Sequence, residues 1–227
     1  MKSLVKYPGL QCQPDCAGNV GAYLQPLKRF LRMQFGHPEG LCGHLAGMMM
    51  ARTPSNMERI RWTLSLLDVK PNDRILEIGF GPGVSIELLA KSITHGLIVG
   101  VDHSEVMVRQ ARRRNAKAIQ KGSVALLVGS ASDLPVFPEP FDKIFCINSI
   151  HFWDRPIDCL KKLHGLMKPG GVIAVTIQPR SRGVTNATAA AIGQEVLGNL
   201  VTAGFLQCRM EIRHTSPVAT ACAIGTR

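Results

Sequence analysis

The chain has 227 residues, of which 45% are apolar and 19% are charged, and its formal net charge is +11. This length suits one large α/β domain with its own core and is short for two domains. The composition excludes a disordered or repetitive chain, and no apolar stretch approaches the ~20 residues of a membrane-spanning helix. The amino terminus lacks the apolar run of a signal peptide, so we expect a cytoplasmic protein.

The positive charge raises the question of a nucleic-acid or membrane-surface partner. The basic residues are spread along the whole chain, and the one dense run, at 109–121, falls on a predicted helix. We interpret that run as the solvated outer face of a helix, so nucleic acid is not an expected partner.

The cysteines are seven, an odd number, and Cys146 and Cys222 lie in apolar, strand-like runs. Buried free thiols in a reducing compartment explain this pattern best. Cys12 and Cys16 form a C-x-x-x-C pair, but the neighbouring Cys and His residues match no zinc module. We therefore expect no bound metal.

The predicted elements begin with an extension, residues 1–52, that is irregular at first and then holds two short helices. We interpret this segment as an N-terminal helical lid, whereas residues 53–227 form the main domain. A clearer helix opens that domain, because Ser55 and Glu58 fit a capping box and apolar residues follow at helical spacing.

From residue 73 onwards, apolar strands alternate with helices, which predicts a doubly wound parallel sheet with helices on both faces. Only a few residues join the last two strands, too few for a parallel crossover, so we expect one antiparallel strand near the end of the sheet. The predicted strands are 74–79, 97–102, 124–128, 143–148, 172–177, 207–213 and 218–225. The predicted helices are 84–92, a long one capped by Ser104, one capped by Asp154 and ended by Lys168-Pro-Gly-Gly171, and 187–203.

The strongest chemical signal is Glu77-Ile-Gly-Phe-Gly-Pro-Gly83, which lies between a predicted strand and a predicted helix. Open α/β sheets bind ligands at the carboxyl ends of their strands, and glycines let the backbone approach the ligand. The dinucleotide fingerprint G-x-G-x-x-G requires a glycine where Val84 stands, so the spacing disfavours a nicotinamide cofactor. Glu77 would repel a pyrophosphate, but it suits a ligand that carries an ammonium group.

Asp102 ends the second predicted strand, roughly twenty residues beyond the glycine loop. An acidic side chain at this place can accept hydrogen bonds from both hydroxyls of a ribose. A single Asp at a strand end is as often a helix cap, but its combination with the glycine loop favours the ribose role.

With these features, residues 73–178 resemble the core of class I S-adenosylmethionine-dependent methyltransferases of the bacterial small-molecule type. The similarity rests on the glycine loop, Asp102, Leu134-Pro, Phe141-Asp-Lys and Leu166-Met-Lys-Pro-Gly-Gly171, which occur in matching order. The resemblance implies a Rossmann-like seven-stranded sheet whose last strand is antiparallel. It also implies S-adenosylmethionine as the cofactor, which leaves as S-adenosylhomocysteine.

The resemblance assigns the cofactor contacts by position. The glycine loop would line the methionine and ribose, and the loop after the third strand would touch the adenine. Ser130 stands where many relatives have an Asp that accepts from the adenine amino group, so this chain departs from the pattern there. The expected cofactor residues are Glu77, Gly79, Phe80, Gly81, Gly83, Asp102, His103, Ser130, Ala131, Ser132, Asn148 and Ser149.

Methyl transfer from a sulfonium is an in-line displacement, which mainly needs proximity and alignment. A general base is required only if the nucleophile starts protonated, and His151, just past the fourth strand, is the candidate catalytic base. Packing under Phe152 or ordering the loop is an equally open role for His151. A lid folded over the cleft would add contacts, and the expected substrate residues are Tyr23, Phe35, His37, His151 and Trp153.

Missing motifs narrow the reaction further. Asn148-Ser-Ile-His151 is not the Asn/Asp-Pro-Pro-aromatic motif of enzymes that methylate base or glutamine amines, and neither a Pro-Cys pair nor an acidic cluster after the fourth strand is present. Metal-independent transfer to an O, N, S or C nucleophile of a small molecule remains the expectation. A methyltransferase acting on RNA or protein, and a non-catalytic S-adenosylmethionine-binding protein, stay as alternatives. The acceptor and the oligomeric state are left open.

Overall fold

A computed structural model describes residues 53–180 and 183–227. The expected lid, with Tyr23, Phe35, His37, Cys12 and Cys16, lies outside the described residues. The domain boundary at residue 52 therefore stays a prediction.

The described part of the chain alternates strands with helices, as the apolar pattern predicts. Its helices are α1 (Pro54–Leu67), α2 (Val84–Leu89), α3 (Glu105–Arg114), α4 (Ala116–Gln120), α5 (Pro156–Gly165) and α6 (Asn186–Thr202), with a 3₁₀ turn at Ile150–Phe152. Its strands are β1 (Arg74–Ile78), β2 (Leu97–Asp102), β3 (Val124–Val128), β4 (Phe141–Ile147), β5 (Met167–Ile177), β6 (Leu206–Arg213) and β7 (Thr220–Thr226).

The seven strands form one sheet in the order β3-β2-β1-β4-β5-β7-β6. The pairs among β1 to β5 are parallel, whereas β7 pairs antiparallel with both β5 and β6. This confirms the expected Rossmann-like sheet with one antiparallel strand. Because β1, β2 and β4 are neighbours with parallel directions, their carboxyl ends meet at one edge of the sheet, where a doubly wound fold binds its ligand.

The sheet is covered on both faces, so its central strands are apolar throughout rather than alternating. On one face Phe141, Leu160 and Leu200 belong to a core that includes α5 and α6. On the other face Leu67, Phe145 and Ile86 belong to a core that includes α1 and α2. Cys146 and Cys222 are buried free thiols, as their apolar sequence surroundings predict, and Cys159 is a buried free thiol as well.

Three expectations about helix ends are wrong. The segment Lys168-Pro-Gly-Gly171 does not end α5 but belongs to β5, because the backbones of Gly170 and Gly171 hydrogen-bond to that of Arg227. The helix α1 has no Ser55–Glu58 capping box: it begins at Pro54, and Glu58 instead pairs with Arg213 of β6 at 3.0 Å.

The third wrong expectation concerns α5. It has no side-chain cap from Asp154, because the helix begins at Pro156 and its N-cap residue is Arg155, whose side chain makes no capping hydrogen bond. A proline suits the first helical position, where the missing N–H would have no helical acceptor.

The expectation for Ser104 is confirmed at the start of α3, where its hydroxyl accepts from the Met107 backbone N–H at 3.4 Å. The basic run that follows is exposed, although Arg114 pairs with Glu87 of α2 at 3.2 Å and also reaches the Pro82 carbonyl. The long helix predicted there is divided in two at Asn115.

Candidate cofactor site

The glycine loop between β1 and α2 takes backbone angles that side chains disfavour. Gly79, Gly81 and Gly83 have φ of +77°, +55° and +75°. An added Cβ would lie 2.5 Å from Ser149 Cβ at Gly79 and 2.6 Å from Ala111 Cβ at Gly83. Nothing lies within 4 Å of a Cβ added at Gly81. The loop is therefore packed at both ends and open at its centre, which leaves room for a ligand to approach the backbone.

Asp102, at the end of β2, fixes this open centre. Its carboxylate accepts from the Gly81 N–H at 2.7 Å and from the Ser104 N–H at 2.9 Å, one bond to each oxygen. The pKa of Asp102 is raised, because the effect of burial exceeds that of the two backbone N–H hydrogen bonds, which lower it. Each carboxylate oxygen can accept more than one hydrogen bond, so Asp102 keeps acceptor capacity for the hydroxyls of a ribose.

Glu77 lies almost wholly inside the protein, at 2% exposure, one residue before the end of β1. Ser85, in the first turn of α2, donates to its carboxyl group, with 2.6 Å to each oxygen. Burial raises the pKa of Glu77 to about 8; the Ser85 hydrogen bond lowers it and the nearby Asp102 charge raises it. Glu77 thus ties β1 to α2 and is near enough to Asp102 for the two carboxyl groups to interact.

The end of β4 closes the site on its other side. The Ser149 hydroxyl donates to the Ile78 carbonyl at 2.8 Å, which joins β4 to β1 beside the glycine loop. Asn148 has a left-handed backbone, φ +54°, and its side-chain oxygen accepts from the Gln178 N–H at 2.7 Å. The side-chain nitrogen of Asn148 is buried and has no hydrogen-bond acceptor among the described residues.

The remaining expected cofactor residues fall into two groups. His103 follows β2, and Ser130 and Ser132 follow β3, on the same edge of the sheet as the glycine loop. His103 Nδ1 is 3.8 Å from Asp102, and Ser130 and Ser132 share a hydroxyl hydrogen bond of 2.9 Å. The side chains of Phe80 and Ala131 are instead buried in the core, at 4% exposure each. For those two, only the backbone is available to a ligand.

His151 lies on the 3₁₀ turn directly after β4, and its ring centroid is 4.1 Å from that of Phe152. Burial lowers the pKa of His151, and the positive charge of Arg180 lowers it further. The imidazole is therefore neutral at pH 7, which is the form that a general base requires. Trp153 is partly buried against the core, so its ring supports the turn.

Four residues beside the site escaped the sequence analysis: Arg59, Ser85, Gln178 and Arg180. Ser85 is indicated by its place in the first turn of the helix that follows the glycine loop. Arg59 is only 1% exposed, and it bonds to Gln178, 119 positions away in the chain. No local pattern predicts a contact between residues so far apart.

Comparison with known proteins agrees with this geometry. A family model described as a methyltransferase domain matches residues 75–171, from β1 into β5. An uncharacterized methyltransferase of Bacillus subtilis (strain 168), YdaC, is 29% identical over 183 residues, which span 81% of this chain and 98% of that protein.

Two further matches are to an O-methyltransferase with a named acceptor and to an N-methyltransferase solved with a bound ligand. The erythromycin 3''-O-methyltransferase of Saccharopolyspora erythraea is 29% identical over 121 residues, which are 53% of this chain but only 40% of that enzyme. The N-methyltransferase NodS from Bradyrhizobium japonicum WM9, solved with S-adenosyl-L-homocysteine, shares 15% identity at a TM-score of 0.65. That match covers 88% of this chain and 97% of NodS.

The sheet has the Rossmann-like strand order, and residues 75–171 match the methyltransferase-domain family. Together with the similarity to YdaC, these observations support a class I S-adenosylmethionine-dependent methyltransferase. Its cofactor is S-adenosylmethionine, and the open centre of the loop at Gly81, with Asp102 beside it, fits the ribose and methionine of that molecule. Over the described residues, no helix is long and apolar enough to cross a membrane.

Proposed function

We propose that the chain moves a methyl group from S-adenosylmethionine to an O, N, S or C nucleophile of a small molecule, without a metal ion. The observation that carries this proposal is the meeting of two sets of residues at one sheet edge. Gly81, in the loop after β1, and Asp102, at the end of β2, provide the cofactor cradle, and His151 lies on the 3₁₀ turn after the neighbouring β4. Similarity to the erythromycin 3''-O-methyltransferase supports a small acceptor.

In the proposed reaction, a lone pair on the acceptor attacks the methyl carbon in line with the sulfur. The bond between sulfur and methyl breaks, its electrons stay on sulfur, and neutral S-adenosylhomocysteine leaves. If the acceptor atom carries a proton, His151 takes it, since the neutral imidazole has a free nitrogen lone pair. The roles of the cradle are therefore to bind the donor and to align it, which are the main needs of such a displacement.

The test is a screen of small-molecule acceptors with S-adenosylmethionine labelled in its methyl group. Transfer of label to a small acceptor by the wild type, with loss of transfer in Asp102→Ala, is the expected result. A matched control is Asp158→Ala, an exposed carboxylate on α5. Label that passes only to RNA or protein would assign the chain to one of the alternative classes, and a bound cofactor without any transfer would support the non-catalytic alternative.

The RNA alternative has its own signature. Binding that rests on phosphate contacts weakens steeply as the salt concentration rises. We expect no such RNA binding, because the basic side chains are distributed over the whole chain and Arg114, within the densest run, is already paired with Glu87.

A further inference from the structure

The carboxyl ends of β4 and β5 bring together two arginines and two amide side chains, which we call the cationic corner: Arg59, Asn148, Gln178 and Arg180. Arg59 reaches it from α1, Asn148 follows β4, and Gln178 and Arg180 follow β5. A hydrogen-bonded chain joins three of these residues. The Arg59 guanidinium donates to the Gln178 side-chain oxygen, and the Gln178 N–H donates to Asn148.

Gln178 holds this arrangement in place. Its side-chain nitrogen donates to the Val218 carbonyl at 2.9 Å and to the Thr215 hydroxyl at 3.0 Å. Arg59 also donates to Asn56 at 2.5 Å, so two of its three nitrogens are committed to the protein. Arg59 is thus a fixed, buried and positively charged part of the cationic corner.

Arg180 differs from Arg59 because it reaches the surface. Within residues 53–180 and 183–227, neither Arg59 nor Arg180 forms an ion pair with a carboxylate. The Arg180 charge acts on both Arg59 and His151 and lowers the pKa of each, although burial is the larger cause in both cases. Burial also lowers the pKa of Arg180 itself.

This distribution of charge is unfavourable as it stands. Two guanidinium groups repel each other where water is partly excluded, and a sulfonium bound in the cradle would add a third positive charge. The side-chain nitrogen of Asn148, which is buried and has no acceptor in the described part of the chain, adds one more donor. An anion is the ligand that such a set of groups stabilises.

The position of the corner favours the acceptor over the cofactor as the source of that anion. The cradle lies on β1 and β2, and β5 is two strands from β1 in the sheet order. Neighbouring strands are about 4.8 Å apart, so the end of β5 lies about 10 Å from the glycine loop. His151, the candidate base, lies on this same side.

We propose that the methyl acceptor carries a carboxylate, which Arg180 binds at the cationic corner while its nucleophile faces His151 and the methyl donor. This inference rests on the proposed function, whose acceptor class it specifies. A guanidinium fork matches a planar carboxylate with two parallel hydrogen bonds. Arg180 is then the residue that selects the acceptor, and Arg59 and Gln178 are positioning residues behind it.

The test uses benzoate and its neutral counterpart benzamide as probes, so it does not require the acceptor to be identified. The protein is saturated with S-adenosylhomocysteine at pH 8, where His151 is neutral, and probe binding is measured by ligand-observed NMR titration. We expect the wild type to bind benzoate about tenfold more tightly than benzamide, because only benzoate makes charge-assisted bonds. Arg180→Gln should abolish this preference, Arg180→Lys should retain part of it, and Arg209→Gln on the edge strand β6 should leave it unchanged.

Equal binding of the two probes to the wild type, or an unchanged preference in Arg180→Gln, would overturn the proposal. A tenfold loss of S-adenosylhomocysteine affinity in Arg180→Gln would overturn it too, because Arg180 would then hold the carboxylate of the cofactor. A failure of the proposed function alone would give a different result. The wild type would then prefer benzoate and Arg180→Gln would not, but no labelled methyl group would reach a small acceptor.

Discussion

The buried carboxyl group of Glu77 makes the stability of the protein depend on pH. Its pKa is raised from an ordinary value of 4.5 to about 8, mainly by burial. The native state therefore holds a proton that the unfolded chain releases at lower pH, so this contribution to stability is complete below pH 4.5 and declines as the pH rises towards 8 and above. With a difference of about 3.5 pH units and about 1.4 kcal/mol per unit, the free energy of unfolding should fall by up to about 5 kcal/mol.

The substitution Glu77→Gln tests this reasoning, because glutamine has nearly the same shape and does not titrate. Denaturant unfolding without cofactor between pH 5 and pH 9 should show a steep decline for the wild type and a much flatter one for Glu77→Gln. Glu105→Gln, an exposed glutamate on α3, is the control and should retain the wild-type slope. Parallel curves for the wild type and Glu77→Gln would refute the claim that the Glu77 carboxyl group is neutral in the native state.

Three other predictions concern the loop, the cradle and the base. Gly83→Ala should lower the free energy of unfolding, measured by thermal unfolding, by about 2–4 kcal/mol, because the new Cβ would meet Ala111 and the backbone φ at this position is strained for alanine. Gly122→Ala is the control: its φ is +77° but its surroundings are open, so the loss should be only about 1–2 kcal/mol. Asp102→Ala should weaken S-adenosylhomocysteine binding about 100-fold, as measured by calorimetry, because two charge-assisted hydrogen bonds to the ribose are lost. An unchanged affinity would show that Asp102 does not belong to the cofactor site. Once an acceptor is known, His151→Gln should lower kcat about 100-fold. In the wild type, the acidic limb of the pH profile of kcat should lie below pH 6.5, because the pKa of His151 is lowered. An acidic limb above pH 6.5, or an unchanged kcat in His151→Gln, would exclude His151 as the base.

The sequence predicts where the strands that frame the candidate cofactor site end, because its signals there are local. The glycine loop, the end of β2 and the end of β4 each combine an apolar run with a residue type that suits one place in a βαβ unit. The parallel sheet follows from the same alternation of strands and helices, and the antiparallel β7 follows from the short connection before the last strand.

Contacts between distant segments lie beyond such reasoning. The bonds from Gly170 and Gly171 to Arg227 turn an expected helix end into a strand, and they join residues more than fifty positions apart. The Arg59–Gln178 bond depends on the packing of α1 against β5, which no periodicity reveals. The cationic corner is made largely of such contacts, so the sequence alone gives no indication of its charge.

A crystal structure with S-adenosylhomocysteine would show whether Asp102 and the glycine loop hold the cofactor. We expect the ribose hydroxyls within about 3 Å of the Asp102 carboxylate, the hydrogen-bond distance for O–H donors, with the nucleoside lying against the open backbone of Gly81. Electron density for the nucleoside anywhere else on the protein, or a ribose without contact to Asp102, would contradict this expectation.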